Sequence, residues 1–285
     1  MESSILTEIF LPLALAVIML GMGLSLTLDD FRRITVAPKP VLIGLVNQLI
    51  LLPIVAYILI IVFNIQTELA VGFMILAACP GGATSNLISH LAKGDTALSI
   101  TLTAISSLVT VVSIPFIVNF GIIQFMPNGS AMQLNVFGTV IAVVVITIIP
   151  VSIGMLIHKL APAFSQRMER PVRILSAVFL ALIILAAILK ERAHILEFFQ
   201  QAGPVALLLN LLTLGIGFYT SRLFRLPQDQ SRTIAIESGI QNGTLGITIA
   251  ATLIGNSAMT IPSVIYSLIM FGTVLVLVFR SNAKV

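Results

Sequence analysis

The chain has 285 residues, of which 58% are hydrophobic and only 9% are charged, against roughly 25% charged residues in soluble domains. With a mean hydropathy of +1.12, this composition excludes a soluble globular domain and indicates a multi-pass membrane protein. The formal charge of +4 does not indicate nucleic-acid binding, because the basic residues lie in short loops between apolar runs and not along one face.

Apolar runs of about 20 residues, the length that crosses a bilayer as a helix, recur along the whole sequence. We therefore expect an all-α polytopic membrane protein that forms a single unit over 1–285, without a cleavable signal peptide before the first run. The nine predicted helices cover 8–27, 40–63, 69–91, 96–118, 134–157, 172–189, 203–221, 233–254 and 260–279. We interpret the polar, proline-containing segment 158–173 as a connector between the fifth and sixth helices.

The basic residues predict how the chain is oriented. When the loops are assigned to alternate sides of nine helices, all but two of the 15 Lys and Arg fall on one side, and only Lys190 and Arg192 fall on the other. The positive-inside rule then places the N-terminus outside and the C-terminus in the cytoplasm. We expect a multi-pass protein of the cell (inner) membrane.

Glu237 is a carboxylate deep inside an apolar span, in the sequence IAIESGIQNGTLGITIAATLI. A charge at that depth costs about 2.5–3.5 kcal/mol, so it usually faces a cavity, a partner or an ion. The predicted membrane cores contain no Lys or Arg, whereas Ser238, Gln241, Asn242 and Thr244 follow the carboxylate closely. One acid among neutral oxygens on a glycine-interrupted helix indicates an alkali-cation site, with a proton as the alternative occupant.

A second interruption lies in the third predicted helix, in CPGGATSN at 79–86. Pro80 removes a backbone donor and clashes with the preceding turn, and Gly81 and Gly82 let the chain change direction. Because freed backbone groups cannot face lipid, we expect this break to pack against the break at 237–246, with the two broken helices crossing near the midplane. The carbonyl ends of the first half-helices would suit a cation and the N–H ends of the second an anion. For either break alone, a simple kink is the alternative.

Two short segments match position by position, namely GDTALSI at 94–100 and GNSAMTI at 255–261. Asp95 and Asn256 occupy the same position in the two segments, and both are good helix N-caps. Each segment follows one of the interrupted helices. The alternative is that these are two unrelated helix starts.

The matching segments predict inverted-topology repeats, because an offset of five helices reverses the direction of the chain in the membrane. Repeat one would cover 1–128 and repeat two 129–285, and the nine helices would be a ten-helix fold that lacks the first helix. Interrupted helices at corresponding positions of such repeats indicate a substrate and ion site in several secondary transporter folds.

Three motifs resemble those of the bile acid:sodium symporter family: GMGLSLTLDDF at 21–31, ACPGGATSNLISHLAKGD at 78–95 and IAIESGIQNGTLG at 234–246. The similarity extends along essentially the whole chain. It implies a core domain that contains the two crossing broken helices, a panel domain that moves against the core, and two sodium ions near the crossover. The implied core covers about 40–123 and 203–280, and the implied panel covers about 5–33 and 134–190.

The resemblance also implies which residues bind the two coupling ions, and it implies no other cofactor. The implied ligands of one sodium are Ser85, Asn86, Ser99, Thr103 and Glu237. Those of the second are Gln48, Glu237 again, Gln241 and the backbone carbonyls of Ser238 and Ile240. Candidate substrate contacts are Thr84, Asn86 and Asn242. Oxygen ligands with a single negative charge suit a monovalent ion better than calcium, which usually gathers several carboxylates.

The sequence therefore predicts a sodium-coupled symporter of an organic anion that works by alternating access. Bile-acid-accepting relatives tend to have polar residues midway along the last helix, where this chain has Met270 and Phe271, so smaller keto or hydroxy acids are at least as well supported. Proton coupling through Glu237 and a channel are the alternatives, and no nucleophile with a base or a metal set indicates an enzyme. The expected partners are the anion, sodium and the lipid bilayer, not nucleic acid, and the oligomeric state is left open.

Overall fold

The structure, a computed structural model, describes residues 9–82, 84–126 and 134–282, without the side chains of Arg280 and Asn282. In this part of the chain the regular elements are all helical, which confirms the all-α prediction. The predicted boundary between the repeats, at 128/129, lies outside the described residues, and so does residue 8 of the first predicted helix. The α-helices are α1 (Leu11–Gly23), α2 (Leu28–Val36), α3 (Pro38–Val46), α4 (Leu52–Val62), α5 (Thr67–Ala78), α6 (Thr84–Leu91), α7 (Thr96–Phe125), α8 (Val136–Val143), α9 (Ile149–Leu160), α10 (Pro162–Lys190), α11 (Ile195–Leu223), α12 (Gln228–Gly239), α13 (Gly243–Thr248) and α14 (Ile261–Asn282).

Six helical stretches in the described residues are long and apolar enough to cross a membrane, and a seventh is present if α1 and α2, bent by 64° at their junction, count as one span. The six are Pro38–Val62, Thr96–Phe125, Val136–Leu160, Pro162–Lys190, Ile195–Leu223 and Ala258–Phe279. Their outward faces carry large apolar side chains, such as Phe137 and Phe279. The chain is therefore a multi-pass membrane protein.

Two of these stretches contain π-helical turns. The turns Asn47–Leu51 and Val144–Ile148 each come directly before a helix with proline near its start, Pro53 and Pro150 respectively. Because proline lacks a backbone N–H and crowds the preceding turn, a widened turn is a way to continue the helix without that hydrogen bond. A further π-helical turn, Ile249–Ile254, lies outside these stretches and follows α13.

The interpretation of 158–173 as a connector was wrong. Helix α9 continues to Leu160, and α10 begins at Pro162, well before the predicted start at 172. Proline is well tolerated in the first turn of a helix, and the polar residues that follow it form helical turns beyond the apolar stretch. Pro171 lies inside α10.

The first predicted helix also differs from the structure, because α1 ends at Gly23 and the chain bends before α2 begins. At the bend, the Leu24 carbonyl accepts a hydrogen bond from Ser165 Oγ at 2.6 Å and lies 2.5 Å from His158 Nδ1. These side chains satisfy a carbonyl that the interrupted helix leaves without a helical partner. The bend is therefore held by α9 and α10, which sequence periodicity alone could not reveal.

Helix α1 packs against α9 and α10, whereas α11 packs against α12 and α14, and α5 packs against α4 and α7. Helices α1 and α9 approach closely at Gly23 and Gly154. A Cβ atom at Gly23 would lie 2.2 Å from the Val151 carbonyl oxygen, and one at Gly154 would lie 2.4 Å from the Leu20 carbonyl oxygen. Glycine at this contact lets the two backbones meet, as is common between membrane helices.

Candidate cation site at the two helix breaks

The two interrupted helices break where the glycine-rich motifs lie, and the breaks contact each other. Helix α5 ends at Ala78 and α6 begins at Thr84, while α12 ends at Gly239 and α13 begins at Gly243. Between the breaks, the backbone N–H of Gly82 donates to the Ile240 carbonyl at 3.2 Å, and that of Asn242 donates to the Pro80 carbonyl at 3.0 Å. An antiparallel bridge pairs Gly81 with Gln241. Each break thus supplies hydrogen-bond partners for the other, as buried backbone requires.

Side chains from other helices satisfy further carbonyls at the ends of the half-helices. Gln48 Nε2 donates to the Cys79 carbonyl at 3.1 Å. On the other side, the Gly239 carbonyl accepts from Asn210 Nδ2 at 2.7 Å and from the Tyr266 hydroxyl at 2.9 Å. Asn210 and Tyr266 were not among the sequence candidates, although a buried amide and a phenol inside apolar spans are polar groups that need partners.

The five residues implied for the first sodium lie together. Glu237, which is 3% exposed, accepts hydrogen bonds from Ser99 Oγ at Oε1 and from Thr103 Oγ1 at Oε2, the latter at 2.9 Å. Asn86 Oδ1 lies 2.9 Å from Ser99 Oγ and 3.4 Å from Thr103 Oγ1. Ser85 Oγ lies 3.3 Å from Thr103 Oγ1. Three helices, α6, α7 and α12, therefore bring six oxygens to one point.

This cluster has more oxygen–oxygen contacts of hydrogen-bond length than donor hydrogens. With the Asn86 amide oxygen turned toward the hydroxyls, the cluster contains five oxygen–oxygen contacts of hydrogen-bond length, but three hydroxyls supply only one donor hydrogen each. A proton added to the carboxylate would supply a donor hydrogen for one further contact. A cation at the centre would instead use the lone pairs of all the surrounding oxygens.

Gly81 allows the break to approach the carboxylate. A Cβ atom at this position would lie 2.9 Å from Glu237 Oε2, which is closer than carbon and oxygen normally approach. Any larger residue would have to displace either the carboxylate or the backbone of the break. Glycine at this position thus leaves room for the carboxylate at a close contact between the two interrupted helices.

Most of the residues implied for the second sodium form a neighbouring cluster. Gln48 Nε2 donates to Gln241 Oε1 at 2.7 Å, and Gln241 Nε2 lies 3.3 Å from Gln48 Oε1. Gln241 Nε2 also donates to the Ser238 carbonyl at 3.0 Å. Ile240, the fourth member, directs its carbonyl to the Gly82 N–H. Gln48 reaches this place from the π-helical turn Asn47–Leu51, and such turns are frequent at functional sites.

The residues implied for the second sodium differ from the expectation in the position of the Glu237 carboxylate. Among the described hydrogen bonds, none joins the Glu237 carboxylate to Gln48 or Gln241, since its described partners are Ser99 and Thr103. Both glutamines are nevertheless buried, at 4% and 1% exposure. The two implied sets are therefore adjacent clusters that meet at the C-terminal end of α12, and the carboxylate faces the first of them.

The candidate substrate contacts lie at the start of the second half-helices. Thr84 and Asn86 are partly buried in the first turn of α6. Asn242 is 7% exposed and caps α13, because its Oδ1 accepts from the Leu245 N–H at 3.0 Å. The Asn86 oxygen faces the Glu237 cluster, so this residue belongs both to the residues implied for the first sodium and to the candidate substrate contacts.

The matching segments at 94–100 and 255–261 begin in similar but not identical ways. Asp95 is the N-cap of α7, as predicted, and its Oδ1 accepts from the Leu98 N–H at 3.0 Å. Asn256 lies one residue before the N-cap, Ser257, of the 3₁₀ turn Ala258–Thr260, and its Oδ1 accepts from the Ala258 and Met259 N–H groups at 3.0 and 3.4 Å. Asp95 also pairs with Arg33 at 2.9 Å. This ion pair joins α2 to the start of α7 and was not anticipated, because the partners are far apart in sequence.

A comparison with known protein families matches residues 12–198, well over half of the chain, to the Sodium Bile acid symporter family. The chain belongs to the sodium bile acid symporter family. Its membership in a family of sodium symporters confirms the sequence resemblance and the prediction that the protein is a transporter and not an enzyme.

Similar curated proteins come from plants, bacteria and animals. The chain is 29% identical over 263 residues to the probable sodium/metabolite cotransporter BASS2 of rice (Oryza sativa subsp. japonica), an alignment that covers 91% of this chain and 60% of the rice protein. It is 29% identical over 258 residues to the uncharacterized sodium-dependent transporter YocS of Bacillus subtilis (strain 168), covering 90% of this chain and 78% of that protein. It is 27% identical over 248 residues to the human ileal sodium/bile acid cotransporter, covering 86% and 70%.

Proposed function

We propose that this member of the family is a secondary active transporter that couples sodium entry to the uptake of an organic anion by alternating access. The observation that carries the proposal is the cluster of six oxygens around Glu237, because its single negative charge and surplus of lone pairs fit a monovalent cation. The names of the relatives, which include sodium/metabolite and sodium/bile acid cotransporters, support the same coupling ion.

In this proposal one sodium binds to Ser85, Asn86, Ser99, Thr103 and Glu237. A second binds beside the Gln48 and Gln241 amides and the carbonyls of Ser238 and Ile240, in exchange for the hydrogen bonds that these groups make with each other. Because Glu237 of the first site and the Ser238 and Ile240 carbonyls of the second lie together at the C-terminal end of α12, binding of either ion would order the segment that the other ion also uses. Such shared ordering produces positive coupling between ligands.

The substrate in this proposal is a bile acid-like anion or a smaller carboxylate. Thr84, Asn86 and Asn242 would contact it, next to the N-terminal ends of α6 and α13, where the helix dipole and backbone N–H groups favour negative charge. Asn86 belongs to both the ion cluster and the substrate contacts. This shared residue gives a direct route by which sodium would raise the affinity for the anion.

The proposed architecture has nine membrane crossings in two inverted repeats, equivalent to a ten-helix fold without its first helix. In the described part of the chain, the broken pairs α5–α6 and α12–α13 supply two of these crossings, and the six long stretches together with the bent pair α1–α2 supply the other seven. The packing of α1 on α9 and α10, separate from that of α11 on α12 and α14, supports a panel at about 5–33 and 134–190 and a core at about 40–123 and 203–280. We place the N-terminus outside and the C-terminus in the cytoplasm of the cell (inner) membrane.

The first test measures the melting temperature of the purified protein in sodium against potassium and choline at constant ionic strength. For one site with a dissociation constant of roughly 10 mM, about 100 mM sodium should add on the order of 1.4 kcal/mol of stability by mass action. Glu237→Gln keeps the size of the side chain and removes its charge, so it should abolish the sodium-specific part. Sodium-driven uptake of organic anions into proteoliposomes should disappear in the same variant.

Glu169→Gln is the matched control, because Glu169 is half-exposed and pairs with Arg173 far along the chain from the breaks. It should retain the full response to sodium. Equal melting temperatures in all three cations, together with uptake that follows a pH gradient, would replace sodium by a proton as the coupling ion. A sodium response that survives Glu237→Gln would refute the assigned site.

A further inference from the structure

A groove with a volume of about 570 Å³ lies on a different part of the molecule, between α11, α12 and α14. Along α11 it extends from Leu211 to Tyr219, and along α14 from Thr273 to Ser281. Each stretch corresponds to about 12 Å of helix axis. Thr273 Oγ1 donates to Oδ1 of Asn210, the residue before Leu211, at 2.5 Å. The first residues of the two stretches therefore lie side by side, and the two helices run in the same direction along the groove.

Several side chains that line the groove face outward, away from the interior of the protein. Leu211 is 50% exposed, Val276 is 54% exposed and Tyr219 is 73% exposed. These exposed residues belong to helices that are long and apolar enough to cross the membrane. At the floor, a Cβ atom at Gly215 would meet no atom within 4 Å. The groove therefore has room for an apolar chain and opens on the surface that contacts lipid.

One end of the groove is polar and basic. Gln228 and Arg232, on the first turns of α12, line it next to Ser281. Arg232 is partly buried, and its one described hydrogen bond runs from Nη1 to the Ala92 carbonyl at 3.4 Å, although a guanidinium has five N–H donors. Arg222 and Arg225 are exposed at the same end of α11. An anion bound here would meet a positive field and available donors.

We propose that this groove binds an anionic phospholipid, with the phosphate at Arg232 and Gln228 and one acyl chain along the apolar wall toward Thr273. Basic pockets between membrane helices are a recurrent form of lipid recognition. The shape supports a lipid over a small soluble anion, because most of the lining is apolar and only one end is charged. The deep end reaches Thr273, whose partner Asn210 also donates to the Gly239 carbonyl at the α12 break. A lipid in the groove would thus lie one hydrogen-bonded residue away from the crossover.

The experiment measures lipid binding by native mass spectrometry and the melting temperature in a neutral detergent, with phosphatidylglycerol and phosphatidylcholine of the same acyl chains. Phosphatidylglycerol should bind and stabilise more strongly. Arg232→Gln should weaken its apparent affinity by about tenfold or more, as expected for a lost hydrogen bond to a charged group. Gly215→Phe, which fills the groove and leaves every charge in place, should reduce lipid binding independently.

Two variants serve as controls. Arg167→Gln removes an exposed charge on α10, which does not line the groove. Gly272→Phe adds a ring at another helical glycine with open space around it. Both should bind phosphatidylglycerol like the wild type. Unchanged binding in Gly215→Phe would overturn the proposal, even if Arg232→Gln failed to fold. Equal stabilisation by glycerol phosphate, the headgroup without acyl chains, would also overturn it in favour of a site for soluble anions. These readouts need no sodium and no transport, so they are independent of the proposed coupling.

Discussion

At the residue scale, Ser99 connects the two groups that dominate the candidate cation site. Its hydroxyl contacts both Glu237 Oε1 and Asn86 Oδ1, and it has one hydrogen to share between them. It is completely buried, so water cannot easily replace it. A cation bound here would gain one neutral oxygen from Ser99 at little steric cost.

Ser99→Ala should therefore weaken apparent sodium affinity by about tenfold, which corresponds to one interaction with a charged group. The measurement is the sodium concentration that gives half of the sodium-specific shift in melting temperature. Thr101→Ala is the control, because Thr101 lies on the same helix, is equally buried, and donates to the Ala97 carbonyl of its own helix. A similar loss of affinity in both variants would show that α7 as a whole, and not the Ser99 hydroxyl, is responsible.

The importance of Glu237 could be predicted from the sequence because a carboxylate in an apolar span is expensive unless something compensates it. Its nearest partners could not be predicted from local sequence. Ser99 and Thr103 lie more than 130 residues away along the chain, and they were named only through the family resemblance. Asn210 and Tyr266 were missed altogether, since nothing in their own spans indicates which carbonyl they satisfy.

At the scale of elements, the start of α7 depends on Asp95 in two ways. One carboxylate oxygen caps the helix by accepting from the Leu98 N–H, and the carboxylate also pairs with Arg33 of α2. The Asp95 side chain is 14% exposed and that of Arg33 is 33% exposed, so the pair is partly shielded from water. A single residue thus starts one helix and attaches another to it.

The two roles can be separated by substitution. Asp95→Asn keeps a capping oxygen and removes the charge, and it should cost about 0.2–1 kcal/mol. Asp95→Ala removes both and should cost about 1–3 kcal/mol in total. The melting temperature should therefore be highest for the wild type, lower for Asp95→Asn and lowest for Asp95→Ala. Choline chloride should reduce the difference in melting temperature between the wild type and Asp95→Asn, because salt screens the ion pair. Equal melting temperatures for Asp95→Asn and Asp95→Ala would argue against a capping role.

The cap at Asp95 was predictable because an N-cap is a local interaction between residues three positions apart, and Asn256 also accepts from backbone N–H groups close to it in sequence. The extents of α1 and α10 were not. Helix α1 stops at a bend held by His158 and Ser165, and α10 extends through polar residues that hydropathy assigns to a loop. Hydropathy measures which residues prefer lipid, whereas a helix ends where its backbone hydrogen bonds end.

At the scale of the whole molecule, two described polar contacts at helix ends join α2 and the end of α10 to α7 and to the segment before α14. Arg33 and Asp95 join α2 to α7, and Ser257 Oγ donates to Glu191 just after α10. Among the described residues, the interior between these points is mainly apolar packing. Apolar contacts are not directional, so two apolar surfaces can move past each other without breaking hydrogen bonds. This property suits the proposed motion of a panel against a core.

The orientation of the molecule can be tested through its cysteine content. Cys79 is the single cysteine of the sequence and is 1% exposed, so the natural chain should react little with a membrane-impermeant maleimide. Arg192→Cys, at an exposed position on the side poor in basic residues, should be labelled in intact cells. Arg225→Cys, also exposed, should be labelled only after permeabilisation. The reverse pattern would invert the proposed topology.

The sequence by itself determined that the chain is an all-helical membrane protein and that two helices break at Pro80–Gly82 and Gly239–Gly243. It also determined that Glu237 is the buried carboxylate whose charge needs a partner or a bound ion. Composition, helix-breaking residues and buried charge act locally and can be assessed one segment at a time. The tertiary structure decided how the groups meet: the contacts among the six oxygens around Glu237 and the amide pair of Gln48 and Gln241, whose members the family resemblance had implied, and the groove that ends at Arg232, which no sequence pattern indicated. These contacts join residues far apart in sequence, and only the packing of the helices fixes the distances between them.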